Sequence, residues 1–218
     1  MTATPTPTTT PPGKELWNEI ILSGVSGLSA LGSIVIIFTY FLWRDLQTTS
    51  RRILVYISFG DFFTVFPTLV IFWTRQYRQD DFPCRLQSFI TTTAVMWSFF
   101  WTTSLAIYLY VSLVKKRHDI AERLMLVFHI INWCIPVVAV GIAWYNGALG
   151  PTSHRSTVGW CWIKTNNIRK YMIIIWMLVC GKLLEIITYF INFVLYFSVK
   201  RNIKKEVGSP YKKTKVLK

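Results

Sequence analysis

Acidic residues are scarce: ten Asp and Glu stand against 24 Lys and Arg in 218 residues. A soluble chain of net charge +14 would suggest a nucleic-acid ligand. Here, however, the cations flank long apolar runs instead of gathering on one polar segment, which argues against nucleic acid. There is no Gly-rich phosphate loop, no Gly-x-Ser-x-Gly, no Cys-x-x-Cys and no His-Glu-x-x-His. The local signatures of phosphate, acyl-transfer, dithiol and zinc chemistry are therefore missing. Histidine is limited to His118, His129 and His154. The topology read below puts these on opposite sides of a membrane and inside it, so they cannot share a site. Neither an enzyme nor a cofactor or metal is expected. No Asn-x-Ser/Thr sequon occurs, so N-glycosylation is not expected. The first residues have no cationic stretch leading into a short apolar core, so no signal peptide is evident.

Apolar residues are abundant: 52% of the chain is hydrophobic and 16% aromatic. Five apolar runs reach bilayer length, at residues 16–43, 53–74, 84–114, 124–144 and 171–199. A helix rises about 1.5 Å per residue and a hydrocarbon core is about 30 Å thick, so each run is long enough to cross. The fold class expected is all-α, a polytopic membrane bundle with residues 84–114 as its central post. Residues 1–15, rich in Thr and Pro, read as a disordered extracellular tail. Residues 200–218 read as a basic cytoplasmic segment that extends the last helix.

Charge sets the orientation. With the N-terminus outside, the inner segments carry fifteen Lys and Arg, including Arg44, Arg51, Arg52, Lys115, Lys116, Arg117, Lys200 and Arg201, and the outer segments carry eight. The positive-inside bias thus favours an extracellular N-terminus and a cytoplasmic C-terminus, and an anionic inner leaflet would attract the basic tail. On that topology Cys134 and Cys180 lie at membrane depth, whereas Cys84 and Cys161 both face the oxidising side. A Cys84–Cys161 disulfide is expected, the alternative being two free thiols. Such a bond would close a loop worth about 2–4 kcal/mol.

Polar groups inside the spans are the candidate functional residues. Asp61 lies roughly 12 Å into the second run, and Lys182 roughly 16 Å into the fifth, with Glu185 three residues on and therefore on the same face. Asn192 follows deeper. Charges at such depth cost several kcal/mol unless paired, hydrated or protonated. Two readings stand for each. Asp61 either bonds to hydroxyls or amides of neighbouring helices or serves as a polar switch. Lys182 and Glu185 either neutralise each other or face a watery cavity and contact a ligand. Small residues at four-residue spacing in the first run (Ser23/Gly27, Ser26/Ala30, Ser29/Ser33) mark a face for close helix packing. His129 in the fourth run reads as a packing residue.

Several stretches carry a resemblance: Leu28-Ser29-Ala30-Leu31-Gly32-Ser33, Arg51-Arg52, Ser58 with Asp61, Ser98-Phe99-Phe100-Trp101-Thr102 with Tyr108-Leu109-Tyr110, Phe128-His129 with Trp133 and Pro136, Val158-Gly159-Trp160-Cys161-Trp162-Ile163, and Gly181-Lys182-Leu183 with Glu185. In order and spacing the chain resembles seven-helix G-protein-coupled receptors. It is similar to the orphan G-protein coupled receptor 157 group, related to the cyclic-AMP-receptor-like family and more distantly to the secretin-type receptors. The resemblance implies a plasma-membrane receptor that answers an extracellular ligand, signals through a heterotrimeric G protein and has no enzymatic activity. It also implies the Cys84–Cys161 bond, and a G-protein-facing surface at the inner ends of the third and fifth helices, where Lys115, Lys116, Arg117, Lys200 and Arg201 lie. The Asp-Arg-Tyr triplet of rhodopsin-type receptors is absent: the third run ends Tyr110-Val111-Ser112-Leu113-Val114. Five runs where the family has seven lead to the expectation of a chain cut before the sixth helix. The alternatives are a small transporter or channel, or a truncated regulatory isoform that pairs with full-length receptors.

Overall fold

The computed structural model describes residues 12–74, 81–151, 161–164 and 169–216. Residues 1–11 of the expected tail, Arg75, Arg78, His154, Arg155 and the Gly159-Trp160 pair lie outside the described residues. Helix α1 spans Pro12–Leu42, so residues 12–15 are helical backbone and not part of a tail. A single 3₁₀ turn, Arg44–Leu46, leads into α2, Thr49–Thr74, which contains Pro67. Helix α3 spans Asp81–Leu109 and is extended by a π-helical turn, Tyr110–Val114. Helix α4 covers His118–Tyr145. Strands β1, Leu149–Pro151, and β2, Cys161–Ile163, precede α5, Lys170–Met177. A second π-helical turn, Leu178–Lys182, joins α5 to α6, Leu183–Val216.

Five helical segments are long and apolar enough to cross a membrane: Ile20–Leu42, Thr49–Val70, Phe82–Val114, His118–Tyr145 and Lys170–Lys205. They agree with the five runs in the sequence, but several helices outlast their apolar stretch. α4 begins at His118, six residues before the expected start, because polar Asp119, Glu122 and Arg123 continue the helix beyond the apolar zone. α6 runs through most of the basic segment at 200–218, as the extension reading anticipated.

α3 is the central post. It packs against α2, α4, α6 and both strands, whereas α1 rests on α2. The sequence explains why. Pro83 sits in the first turn of α3, where a missing N–H costs nothing. Beyond it, buried residues occupy all sides of the helix, from Cys84 through Ser88, Ala94, Met96 and Trp101 to Tyr108. α1 instead buries one narrow face, Ser26, Ala30 and Ser33, and leaves Val25, Leu28, Leu31 and Phe38 exposed for lipid. The small-residue face read in the sequence is thus a packing face against α2, with Ser29 turned away from it.

Two apolar clusters hold the rods together. One gathers Met96, Val140, Ala143 and Cys180 around Ala148, Leu149 and Ile163, which belong to the hairpin region. The other joins Ile53, Trp101, Tyr108, Ala121, Met125 and Phe128. The hairpin is seated by the end of α4. Gly147, at φ 65°, takes the left-handed conformation that only glycine adopts at little cost. Its N–H donates to the Trp144 carbonyl and the Ala148 N–H to the Ala143 carbonyl, a Schellman closure that turns the chain back over the bundle. β1 and β2 then pair antiparallel, Leu149 opposite Ile163 and Pro151 opposite Cys161. The segment between the fourth and fifth runs therefore contains a hairpin that plugs one end of the bundle.

Candidate functional site: the polar interior of the bundle

The plugged end is fixed by the Cys84–Cys161 disulfide, with its Cα atoms 5.4 Å apart, as the compartment argument anticipated. Cys84 lies in the first turns of α3 and Cys161 begins β2, so the bond ties the hairpin to the central post. Ser88, one turn further along α3, donates from Oγ to the Trp162 carbonyl at 2.7 Å. Arg85 places its guanidinium 4.9 Å from the Trp144 ring centroid and donates from Nη2 to the Trp144 carbonyl at 3.3 Å. Covalent, polar and cation–π contacts thus converge on the same two turns. Cys180 is buried and Cys134 exposed, both as free thiols.

Asp61 is held by a neighbouring helix. Ser98 of α3 donates from Oγ to Asp61 Oδ1 at 2.8 Å. The approach is possible because Gly60 precedes Asp61. A Cβ at Gly60 would lie 2.5 Å from Ser98 Oγ and 3.0 Å from the Ala94 carbonyl. Glycine is therefore required for α2 and α3 to come close enough for a short serine to reach the carboxylate. Of the two sequence readings, the hydrogen bond to a neighbouring hydroxyl is present.

Lys182 and Glu185 form an ion pair, Nζ to Oε2 2.8 Å, one helical turn apart across the end of the π turn. The lysine side chain is 60% exposed and the glutamate 25%. The pair neutralises charge on a face of the fifth span that the described residues leave largely uncovered. Asn192, further along α6, has its side-chain oxygen buried without a hydrogen-bond partner. Among the described residues no hydrogen bond or ion pair joins Asp61 to Lys182, Glu185 or Asn192. The polar groups read as one candidate set are separate, Asp61 on the α2–α3 seam and the others on α6.

At the opposite end from the hairpin, Lys115, Lys116 and Arg117 form the short connector between α3 and α4, and all are exposed. Lys116 has φ 53°, a left-handed turn that reverses the chain within three residues. Lys115 Nζ lies 5.8 Å from the Tyr110 ring centroid, and Lys200 Nζ 5.8 Å from that of Tyr196. Arg117 pairs with Asp119 at 3.5 Å, an exposed contact of little energetic weight. Arg201 is exposed beside Lys200.

Three polar features escaped the sequence reading. Asn132 of α4 donates from Nδ2 to Ser104 Oγ at 2.9 Å, fully buried, and so pins α4 to α3. Tyr108 donates to Glu122 Oε1 at 3.0 Å across the same two helices near the connector. On α3, Gln87, Ser88, Thr91, Thr92 and Thr93 are all buried. Five hydroxyl or amide residues within seven positions of a membrane span was the available signal. Around His129 lies an aromatic cage. Its Nδ1 accepts from Trp133 Nε1 at 3.3 Å, and the ring lies 5.0 Å from Tyr56 and 5.1 Å from Trp101. That is the packing role read for it. Among the described residues no group of three His, Cys, Asp or Glu is arranged to hold a metal.

A bundle with a central third helix, a disulfide from that helix to the hairpin after the fourth, and isolated charges inside its spans defines a polytopic helical membrane protein. The fold is that of squid rhodopsin: the crystal structure of that protein superposes on 95% of this chain and 57% of its own with a TM-score of 0.73, at 15% identity. Residues 19–218 match the family described as 7 transmembrane receptor (Secretin family), and the chain belongs to it. It is similar to G-protein coupled receptor 157 of Mus musculus, 32% identical over 201 residues that cover 91% of this chain and 60% of the relative. To the Homo sapiens protein of the same name it is 34% identical over 179 residues, 82% of this chain and 52% of that one. The chain thus spans between about half and three-fifths of the length of these relatives.

Proposed function

We propose that this chain supplies the first five helices of a G-protein-coupled receptor of the plasma membrane, with the N-terminus extracellular, the C-terminus cytoplasmic and no enzymatic activity. The observation that carries the reading is membership of the receptor family over residues 19–218, together with its receptor-named relatives. The excess of cations at the connector end supports the orientation through the positive-inside bias. In this reading the disulfide-pinned hairpin faces the extracellular ligand. Lys115, Lys116, Arg117, Lys200 and Arg201 face a heterotrimeric G protein at the other end. Asp61 with Ser98, the Lys182–Glu185 pair and Asn192 are the intramembrane groups whose rearrangement would link the two ends: the Ser98–Asp61 bond joins α2 to α3, rods that can shift relative to one another, and the other three lie along the fifth span. The transporter or channel reading draws on the same intramembrane charges but does not account for the family match.

Guanine-nucleotide exchange tests the proposal. Membranes containing the complete gene product should accelerate exchange on at least one Gα class. Replacing Lys115, Lys116 and Arg117 by Ala should lower the rate while surface expression persists. A product that reaches the cell surface and accelerates exchange on none of the Gα classes would overturn the coupling assignment.

A further inference from the structure

A cavity of about 140 Å³ opens between α1 and α2 at the connector end, away from the hairpin. Its walls are Ile36, Thr39 and Tyr40 of α1 and Arg51, Leu54 and Val55 of α2. The layout follows the depth of a bilayer. Ile36 and Leu54 lie about one and a half turns inside the span ends, whereas Tyr40 and Arg51 lie near the ends themselves. An arginine at the rim, beside a Tyr40 hydroxyl that partners Arg52, above an aliphatic floor matches a phospholipid, headgroup at the rim and acyl chain below.

Arg51 has no evident structural task. It occupies the first turn of α2, where a cation opposes the helix dipole, and no acidic residue stands in that turn. Arg52 beside it doubles the charge, and the preceding turn carries Arg44 with Asp45 as its one acid. Among the described residues the ion pairs are Arg117–Asp119 and Lys182–Glu185, so neither Arg51 nor Arg52 has an acid within 4.0 Å. The corner is also fixed in shape. The Thr39 hydroxyl donates to the Ile36 carbonyl at 3.0 Å, the Trp43 N–H to the Thr39 carbonyl and the Gln47 N–H to the Arg44 carbonyl. The cavity is too small for a whole lipid and suits a phosphoester head whose chains run down the exposed faces of Ile36 and Leu54.

We infer that the α1–α2 corner is a binding site for one anionic phospholipid, its net negative headgroup held by Arg51 and its glycerol end against Thr39 and Tyr40. The site itself does not depend on the proposed receptor function, which determines only that the lipid comes from the cytoplasmic leaflet.

The test is native mass spectrometry of the purified 218-residue chain in mild detergent, titrated with dioctanoyl phosphatidylserine or dioctanoyl phosphatidylcholine. One phosphatidylserine should be retained in preference to phosphatidylcholine. Arg51→Ala should weaken it about fivefold, since one cation near a lipid surface is worth ~1 kcal/mol. Leu54→Trp, which fills the floor, should abolish retention, whereas Arg51→Lys and the distant Arg201→Ala should keep the preference. Equal loss in Arg201→Ala would mean diffuse attraction by net charge and would overturn the site. So would unchanged binding by both Arg51→Ala and Leu54→Trp. Full displacement of the lipid by millimolar inorganic phosphate would replace the lipid assignment with a free-phosphate site. G-protein exchange is not read in this experiment, so its failure and that of the receptor proposal are distinguishable.

Discussion

Gly60→Ala is the sharpest probe of the α2–α3 seam. The new methyl would stand 2.5 Å from Ser98 Oγ and 3.0 Å from the Ala94 carbonyl, with the Ser98 backbone nitrogen at 3.1 Å. The serine hydroxyl is the only flexible atom of the three, so it rotates away and forfeits its bond to Asp61. A hydrogen bond to a charged group is worth about 1.5–3 kcal/mol. The backbone contacts then force a small separation of the helices, at the ~1–3 kcal/mol typical of overpacking. Alanine returns about 1 kcal/mol through its better helix propensity. The net loss should be about 1.5–5 kcal/mol, the sum of those three terms. At about 2–4 °C per kcal/mol for a chain of this size, the unfolding midpoint should fall by about 3–20 °C in scanning fluorimetry of the purified protein. The decisive comparison is a double-mutant cycle with Ser98→Ala. In that background the hydrogen bond is already gone and the nearest atom removed, so Gly60→Ala should cost at least ~1.5 kcal/mol less than in the parent. Additive costs, within about 0.5 kcal/mol, would show that the glycine does not serve the Asp61–Ser98 contact. A parent Gly60→Ala as stable as wild type would refute the close approach itself.

Three further outcomes follow from the same geometry. Replacing Cys84 and Cys161 together by Ser should cost about 2–4 kcal/mol and lower the unfolding midpoint, and non-reducing peptide mapping of the parent should recover the linked pair. Lys182→Ala or Glu185→Ala alone should strand a charge in the fifth span, at about 2.5–3.5 kcal/mol on the insertion scale, and reduce surface expression. Exchanging the two residues should restore most of that expression, and a reciprocal variant as poor as either single one would end the pairing account. Tyr108→Phe should lose about 1 kcal/mol through the missing bond to Glu122, and Glu122→Gln, which still accepts from Tyr108, should lose less; equal losses would place the effect elsewhere.

The number and order of the rods were legible because bilayer length and lack of charge are properties of contiguous sequence. Helix ends were less so. Hydropathy reports where lipid stops, and α4 and α6 continue past that point on polar residues such as Glu122 and Lys204. The disulfide was legible from compartment alone, since two of four cysteines fell on the same side of the membrane. The partners inside the bundle were not. Asp61 announced itself as a costly carboxylate, but nothing local to Ser98, 37 positions away, marked it as the donor. Ser104 and Asn132 met for the same reason, through the register of two packed helices. Serine and threonine carry little hydropathy penalty in a span, so the polar band at Gln87–Thr93 blended into its helix. The Lys182–Glu185 pair was found because its two members lie within one turn and no tertiary information was needed.

Everything functional rests on the direction in which the bundle is threaded through the membrane. An epitope tag placed before Thr2 and a second placed after Lys218, each probed with antibody on intact and on permeabilised cells, measure it directly. The account predicts labelling of the first tag on intact cells and of the second only after permeabilisation. The reverse pattern would put the hairpin and its disulfide on the cytoplasmic side and contradict the receptor orientation.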